Sequence, residues 1–328
     1  MDNENILEIT DLQVRARTVA GTARLLDISS LSVRKGETLG VVGESGSGKS
    51  VLAQTIMRLL PSNVYVPKGS IKYKGEDLLR KPLSEMSSKI RGKEITMIFQ
   101  DPMASLNPVF TVGQLIQGVI KQHDPHTRDA EARQQALKML NLVKLSDPEM
   151  TLEKFPHELS GGMRQRVLIA MALSVGAKLL ISDEATRSLD VTIQAGVLRI
   201  LSDLRTELSL SGLFISNNIA LAAAICQRIS ILYCGSVVEI GSVADVIKDP
   251  RHFYTVSFLA SLPNPNKKGK PLPISEGRNP DSVHKPDGCV FWPRCEAATE
   301  ECHRTVPLLR EVNPGHFVAC MKGGVKHQ

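Results

Sequence analysis

The stretch Gly43-Glu44-Ser45-Gly46-Ser47-Gly48-Lys49-Ser50 restricts what this chain can become more than any other, because it fits G-x-x-x-x-G-K-[ST]. Its surroundings agree. Thr38 to Val42 is a short apolar run that predicts a buried strand, and Val51 to Leu60 predicts a helix. Glycines let the backbone curl tightly enough for successive N–H groups to converge on phosphate oxygens, and the first turn of the helix adds the positive end of its dipole. In such a loop Lys49 reaches the β and γ phosphates, and the Ser50 hydroxyl ligates magnesium. The pattern predicts a nucleotide site at a strand-to-helix junction, with Gly43 through Val51 around the phosphates.

Other strands and helices can be placed around that junction. Ile6 to Val14 and Leu26 to Val33 alternate apolar and polar residues as half-buried strands do and predict an antiparallel edge, and Gly69 to Tyr73 predicts another short strand. Ile95 to Phe99 predicts a buried strand ending at Gln100. From Pro102 the apolar residues recur at helical spacing, as in Val112, Leu115, Ile116, Val119 and Ile120, so residues 102 to about 165 read as a helical insertion. Strands then resume at Lys178 to Ser182, Gly212 to Ser216 and Ile229 to Tyr233, each after a helical stretch, the order of a doubly wound parallel sheet. The expected organisation is a nucleotide-binding domain over residues 1–248 and a C-terminal extension over 249–328, which begins near a Pro, Asn and Lys-rich connector, Pro263 to Pro271.

Composition removes several classes of function. The net charge is +6, but the basic residues are scattered and aromatics make up only 4%, too few for a base-stacking platform, so nucleic acid is not the expected partner. No apolar run approaches the ~20 residues of a membrane-spanning helix, and Met1 to Asn5 is polar and acidic rather than a signal peptide; a cytoplasmic location is expected. Six cysteines in such a chain argue against a disulfide framework. Cys226 and Cys234 fall in helix and strand patterns and read as buried small hydrophobes. The other four, Cys289, Cys295, Cys302 and Cys320, lie in the tail without a tight C-x-x-C, and their spacing alone fits an iron–sulfur cluster, zinc or inert thiols equally.

Further motifs follow in order. Lys178 to Ser182 runs into Asp183-Glu184, where an aspartate can hold magnesium and a glutamate can deprotonate an attacking water. Leu159-Ser160-Gly161-Gly162-Met163-Arg164-Gln165-Arg166 is a second glycine turn opening a helix. With Gly43–Ser50, "IFQDP" at Gln100 and Ser188-Leu189-Asp190, these resemble the ATP-binding cassette (ABC) ATPases over roughly the first 260 residues. The stretches "MIFQDPMASLNP", "LSGGMRQRV", "LDVTIQA" and the tail resemble ATPase subunits of dipeptide and oligopeptide importers.

The resemblance implies an α/β fold of the P-loop NTPase (RecA-like) kind: a mostly parallel sheet core, an antiparallel β edge subdomain, an inserted α-helical subdomain and a small Cys-containing extension. It implies ATP and Mg2+ as ligands, with Ser50, Gln100 and Asp183 on the metal, Glu184 as the catalytic carboxylate and Gln100 coupling to the helical insertion. Ser160, Gly161 and Gly162 would complete the ATP site of a second, non-identical ATPase subunit, and the tail cysteines would hold a 4Fe–4S cluster. Two membrane-embedded permease subunits and, indirectly, an extracytoplasmic substrate-binding protein are the other implied partners, placing the chain at the cytoplasmic face of the membrane.

Four positions depart from that family. Asn217 stands where a histidine usually contacts the γ phosphate, and an amide can donate a hydrogen bond but cannot shuttle a proton; Asn218 follows where aspartate is usual. Ala16 stands where an aromatic usually stacks on adenine, flanked by Arg15 and Arg17, either of which could cover the base. Arg187 adds a cation beside the Ser188-Leu189-Asp190 segment. These departures imply an impaired site on this chain's own P-loop; a largely regulatory subunit with a metal- or redox-sensing tail is the alternative.

Overall fold

The computed structural model describes residues 4–99, 105–186, 189–262 and 277–322. The chain opens with β1 (Asn5–Thr18), β2 (Gly21–Arg34), β3 (Thr38–Val42) and α1 (Lys49–Ile56), followed by β4 (Val64–Tyr73), β5 (Glu76–Asp77) and β6 (Ile95–Ile98). Then come the helices α2 (Val112–His123), α3 (Asp129–Leu142), α4 (Pro148–Glu153) and α5 (Gly161–Leu173). Strand and helix next alternate as β7 (Leu179–Asp183), α6 (Val191–Glu207), β8 (Ser211–Ser216), α7 (Ile219–Ile225) and β9 (Arg228–Tyr233). β10 (Ser236–Ser242), α8 (Val243–Lys248) and α9 (Phe253–Ala260) precede a 3-10 turn at Trp292–Arg294, α10 (Glu300–Arg304), β11 (Arg310–Asn313) and β12 (His316–Val318).

These elements gather into two compact units. One comprises Met1–Ile6, Val33–Thr38 and Arg80–Ile215; the other comprises Leu7–Ser32, Leu39–Leu79 and Ser216–Gln328. In the first, β6, β7 and β8 run parallel, in the registers Ile95↔Leu179 and Leu179↔Ser211, and every residue of β6, β7 and β8 is buried. Continuous apolar runs such as Leu179–Ile181 can be buried on both faces, which is what a parallel sheet requires. The helices of this unit share a core in which Val112, Ile116 and Ile120 of α2 meet Ala136 and Leu140 of α3 and Val167 and Ile169 of α5. Each fully buried branched side chain there contributes about 1.5–3 kcal/mol. Thr111 starts α2 with a capping box: its hydroxyl accepts the Gln114 N–H at 3.3 Å, and the Gln114 side chain accepts the Thr111 N–H at 2.9 Å.

In the second unit β2, β1, β4 and β5 form an antiparallel sheet in that order, with Leu7 opposite Tyr73 and Arg15 opposite Tyr65. β1 and β2 run beyond their predicted limits; β1 slips register between Thr10 and Gln13, with Asp11 at φ 48°, and again between Gln13 and Arg15, where its predicted run ends. Such bulges break the period-two signal, and pairing resumes beyond them. α1 ends earlier than its apolar letters predict. Arg58 adopts φ 51° and turns the chain out of the helix before Leu59 and Leu60. β3 pairs in parallel with β9, and β10, β12 and β11 extend that pairing antiparallel, with Glu239 opposite Val318. The tail thus adds a hairpin to β10 after its loop-rich stretch.

Candidate functional site

Gly43–Ser50 links β3 to α1, where the sequence predicts it. A Cβ on Gly43 would stand 2.1 Å from the Leu232 carbonyl oxygen and 2.9 Å from Ser47 Oγ, so the loop closes only with hydrogen at that position. Gly48 is the N-cap of α1 at φ 101°, a left-handed conformation that L side chains rarely take, and no side chain caps the helix. The opening of α1 carries no such cap, and its N–H groups and dipole suit a negatively charged group. Lys49 is 4% exposed, and its Nζ donates to the carbonyl oxygens of Gly43 and Glu44, both at 2.9 Å. The ammonium lies in the loop's own hollow, held by the backbone it would share with a phosphate.

Sequence reasoning missed the groups that brace this loop. The Glu44 N–H donates to the Tyr254 hydroxyl at 3.1 Å, and the Gly235 N–H donates to the Ser47 carbonyl at 2.8 Å. Burial raises the phenol pKa values of Tyr254 and Tyr233 far above the ordinary range, so both remain hydrogen-bonding hydroxyls at any physiological pH. The Glu44 carboxylate accepts from Asn279 Nδ2 at 3.0 Å and from Arg294 at 3.3 Å. None of these partners carries a local motif; they reach the loop through chain separations of up to 250 residues.

The two arginines beside Ala16 are differently engaged. Arg15 is held in the sheet, 2.5 Å from Asp27 Oδ1 and donating to the Leu26 carbonyl at 2.8 Å. Arg17 lies over the Tyr65 ring, 5.3 Å from its centre, a pairing that the β1–β4 register creates. Ala16 itself is buried.

In the other unit, Asp183 closes β7 and is 6% exposed. Glu184 follows at φ 46°, its N–H donating to the Ile215 carbonyl at 3.0 Å. That conformation costs a glutamate about 1 kcal/mol and turns the backbone sharply at the end of the strand. Ser160 caps α5, its hydroxyl accepting the Met163 N–H at 3.3 Å. Behind it, a Cβ on Gly162 would stand 2.5 Å from Ile193 Cγ2, and one on Gly161 would stand 3.6 Å from Leu189 Cδ2. The structure thus packs Ser160–Gly162 onto Leu189 and the start of α6, which Asp190 caps by accepting the Ile193 N–H at 3.0 Å. Gln100, Arg187 and Ser188 lie outside the described residues.

Asn217 follows β8 and is half-buried. Asn218 is the N-cap of α7: its Oδ1 accepts the Ala220 N–H at 2.9 Å, a duty an aspartate would perform equally.

All four tail cysteines are free thiols; Cys289 and Cys302 are buried, and Cys295 and Cys320 half-buried. Burial raises the Cys289 pKa to about 11, and the other three sulfurs push in the same direction, which places the four thiols within electrostatic reach of one another. Burial likewise raises Cys295 and Cys320. An all-sulfur set has the donor chemistry of an iron–sulfur or zinc site. The side-chain arrangement does not meet it, since among the described residues no three His, Cys, Asp or Glu side chains stand as a metal-holding group. Cys226 and Cys234 are buried, as their patterns predict.

Comparison with known proteins places these features. Residues 26–187 match the ABC transporter family, and residues 238–302 match the oligopeptide/dipeptide transporter C-terminal region. A probable peptide ABC transporter ATP-binding protein, y4tR, from Sinorhizobium fredii is 43% identical over 97% of this chain and 95% of its own. The oligopeptide transport ATP-binding protein OppD is 42% identical in Bacillus subtilis, over 95% of this chain and 87% of its own. In Escherichia coli it is 40% identical, over 97% and 93%. Among solved structures, the dimeric bacterial ABC transporter cassette MJ0796 superposes with a TM-score of 0.63 at 23% identity, covering 72% of this chain and 98% of that one, a likeness of fold.

Proposed function

Because this chain belongs to the ABC transporter family, as an ATPase of its oligopeptide and dipeptide branch, we propose that it is the subunit of a peptide importer that hydrolyses ATP to drive substrate entry. The observation that carries this reading is end-to-end similarity to proteins named as peptide and oligopeptide transport ATP-binding proteins, which includes the cysteine-bearing tail. No described helix is long and apolar enough to cross a membrane. The chain works peripherally, at the cytoplasmic face, against two permease subunits and, through them, a substrate-binding protein. An apolar groove of about 540 Å³, lined by Met97, Ile98, Phe99, Leu168, Met171 and Val175, opens at the end of β6 and suits a short helix of such a permease.

In the proposed mechanism the N–H groups of Gly43–Ser50 and Val51, with Lys49, hold the phosphates. Ser50, Gln100 and Asp183 are oxygen donors of the kind magnesium takes, and the ion when bound neutralises charge on the transferring phosphoryl group. Glu184 accepts a proton from water as the water oxygen bonds to the γ phosphorus and the bond to the β-bridging oxygen breaks, leaving ADP and phosphate. Ser160, Gly161 and Gly162 serve the ATP on a second, non-identical ATPase, whose own signature returns the service. Arg17, paired with Tyr65, and Arg15 flank the base end of the site. Asn217 leaves this chain's own site slow. The four tail thiols are the donor set a 4Fe–4S cluster would take, but among the described residues their arrangement does not form such a site.

The test uses the assembled transporter. Asn217→His is expected to raise ATP turnover, while Glu184→Gln in this chain removes less activity than the matching change in the partner. Unchanged turnover in Asn217→His, with complete loss in Glu184→Gln, would show this chain's site to be the working one. A largely regulatory subunit predicts instead that neither change alters turnover, and that the oxidation state of the tail does.

A further inference from the structure

Glu44 sits second in the loop Gly43–Ser50, so it adds a negative charge to a loop expected to bind a polyanion. Like charges brought onto one loop repel measurably inside a partly buried site. The structure ties this carboxylate to the tail. Asn279 Nδ2 donates to Glu44 Oε2 at 3.0 Å, and Arg294 reaches the same oxygen at 3.3 Å. Asn279 Oδ1 in turn accepts from Arg294 at 2.6 Å and from the Tyr233 hydroxyl at 3.1 Å.

Arg294 is placed by a short piece of local geometry. The 3-10 turn Trp292–Arg294 brings the Arg294 N–H to the Phe291 carbonyl at 3.0 Å, and in such a turn residues three apart eclipse. Phe291 is 1% exposed and packs edge-on against Tyr233, with ring centres 5.3 Å apart, and against Tyr254 at 5.5 Å. Arg294 lies over the Tyr233 and Phe291 rings at 5.8 and 5.9 Å. The next residue, Cys295, closes the turn by donating its N–H to the Trp292 carbonyl at 3.1 Å. One turn therefore carries an aromatic anchor, a guanidinium and a tail cysteine in succession.

We propose that Arg294 is a positioning residue of the nucleotide site: held by Phe291, Tyr233 and Asn279, it neutralises and fixes the Glu44 carboxylate so that the loop can accept a polyphosphate. This rests on the reading of Gly43–Ser50 as a nucleotide loop. It gives the cysteine-bearing segment a direct hold on the loop of its own chain.

Equilibrium binding of ATP with magnesium to the full-length chain tests it. Arg294→Ala is expected to weaken binding about fivefold to tenfold at low salt, and less at high salt. Adding Glu44→Gln to Arg294→Ala should restore affinity to within about twofold of the parent, because the uncompensated carboxylate is gone. A purely structural role for Arg294 would not be rescued this way. Arg294→Gln, which can still donate to Asn279 but carries no charge, should behave like Arg294→Ala if the latter does not fold. Arg304→Ala, which removes an exposed pair with Glu300, serves as the neutral control. Affinity unchanged by either arginine variant, or no rescue by Glu44→Gln, would overturn the proposal. Parent-like affinity in Lys49→Ala would instead overturn the nucleotide reading itself.

Discussion

Glu239 offers a sharp test of what docks the tail. Its carboxylate is completely buried, opposite Val318 of β12, and carries three bonds: the Arg251 N–H at 2.8 Å and His316 Nε2 at 2.7 Å on one oxygen, and the His252 N–H at 2.9 Å on the other. Replacing it with glutamine changes the shape little. One oxygen becomes an N–H2 group, so whichever way the amide turns, a buried donor faces another donor. The orphaned pair costs about 1–3 kcal/mol, and the remaining bonds lose their charge assistance, so Glu239→Gln should destabilise by about 3 kcal/mol. His316→Ala leaves the carboxylate with both backbone N–H groups but empties a fully buried site, and should cost a comparable amount, about 2–5 kcal/mol. Trp292 is the only tryptophan, stacked on His303 with ring centres 3.9 Å apart, and its fluorescence reports the tail during urea unfolding. A stability for Glu239→Gln within about 1 kcal/mol of the parent would refute the reasoning.

Burial lowers the Lys285 pKa to about 8, while its ammonium donates to the Cys234 carbonyl. Unfolded lysine titrates near ~10.4, so between those values the unfolded chain holds more protons and stability rises with pH, by at most ~1.4 kcal/mol per unit. Below pH 8 the penalty is fully present. Subtracting the pH profile of Lys285→Met should isolate that slope. Gly162→Ala drives a methyl into Ile193 and should destabilise the unit by about 1–3 kcal/mol, measured by thermal unfolding, while lowering hydrolysis at the partner's site. With Cys289 buried and raised to about 11, its alkylation at pH 8 should be slower in the folded, metal-free protein than in the urea-unfolded chain; anaerobically purified protein holding a cluster would be brown and would resist alkylation at all four.

Contiguous letters made the nucleotide loop legible: strand, glycine loop and helix are neighbours in sequence, and buried parallel strands read as unbroken apolar runs such as Leu179–Ile181. The parts that stayed hidden depend on distant partners or on single backbone torsions. The Asp11 bulge interrupts alternation without ending the strand, and Arg58 ends a helix that Leu59 and Leu60 would continue. β11 and β12 are too short to announce themselves, and exist because β10 offers them an edge. The bracing of Glu44 by Tyr254, Asn279 and Arg294 is an arrangement of ordinary residues, and only the fold makes neighbours of them.

The backbone at Glu184 sets the chemistry proposed for it against thermal robustness. A left-handed turn after a strand is a place where asparagine or glycine would be more comfortable. A screen for heat resistance alone would therefore be drawn to that position and would return proteins firmer than their parent, each without the carboxylate proposed to take the proton from water. Any attempt to harden this chain should hold residue 184 constant and look for its gains elsewhere.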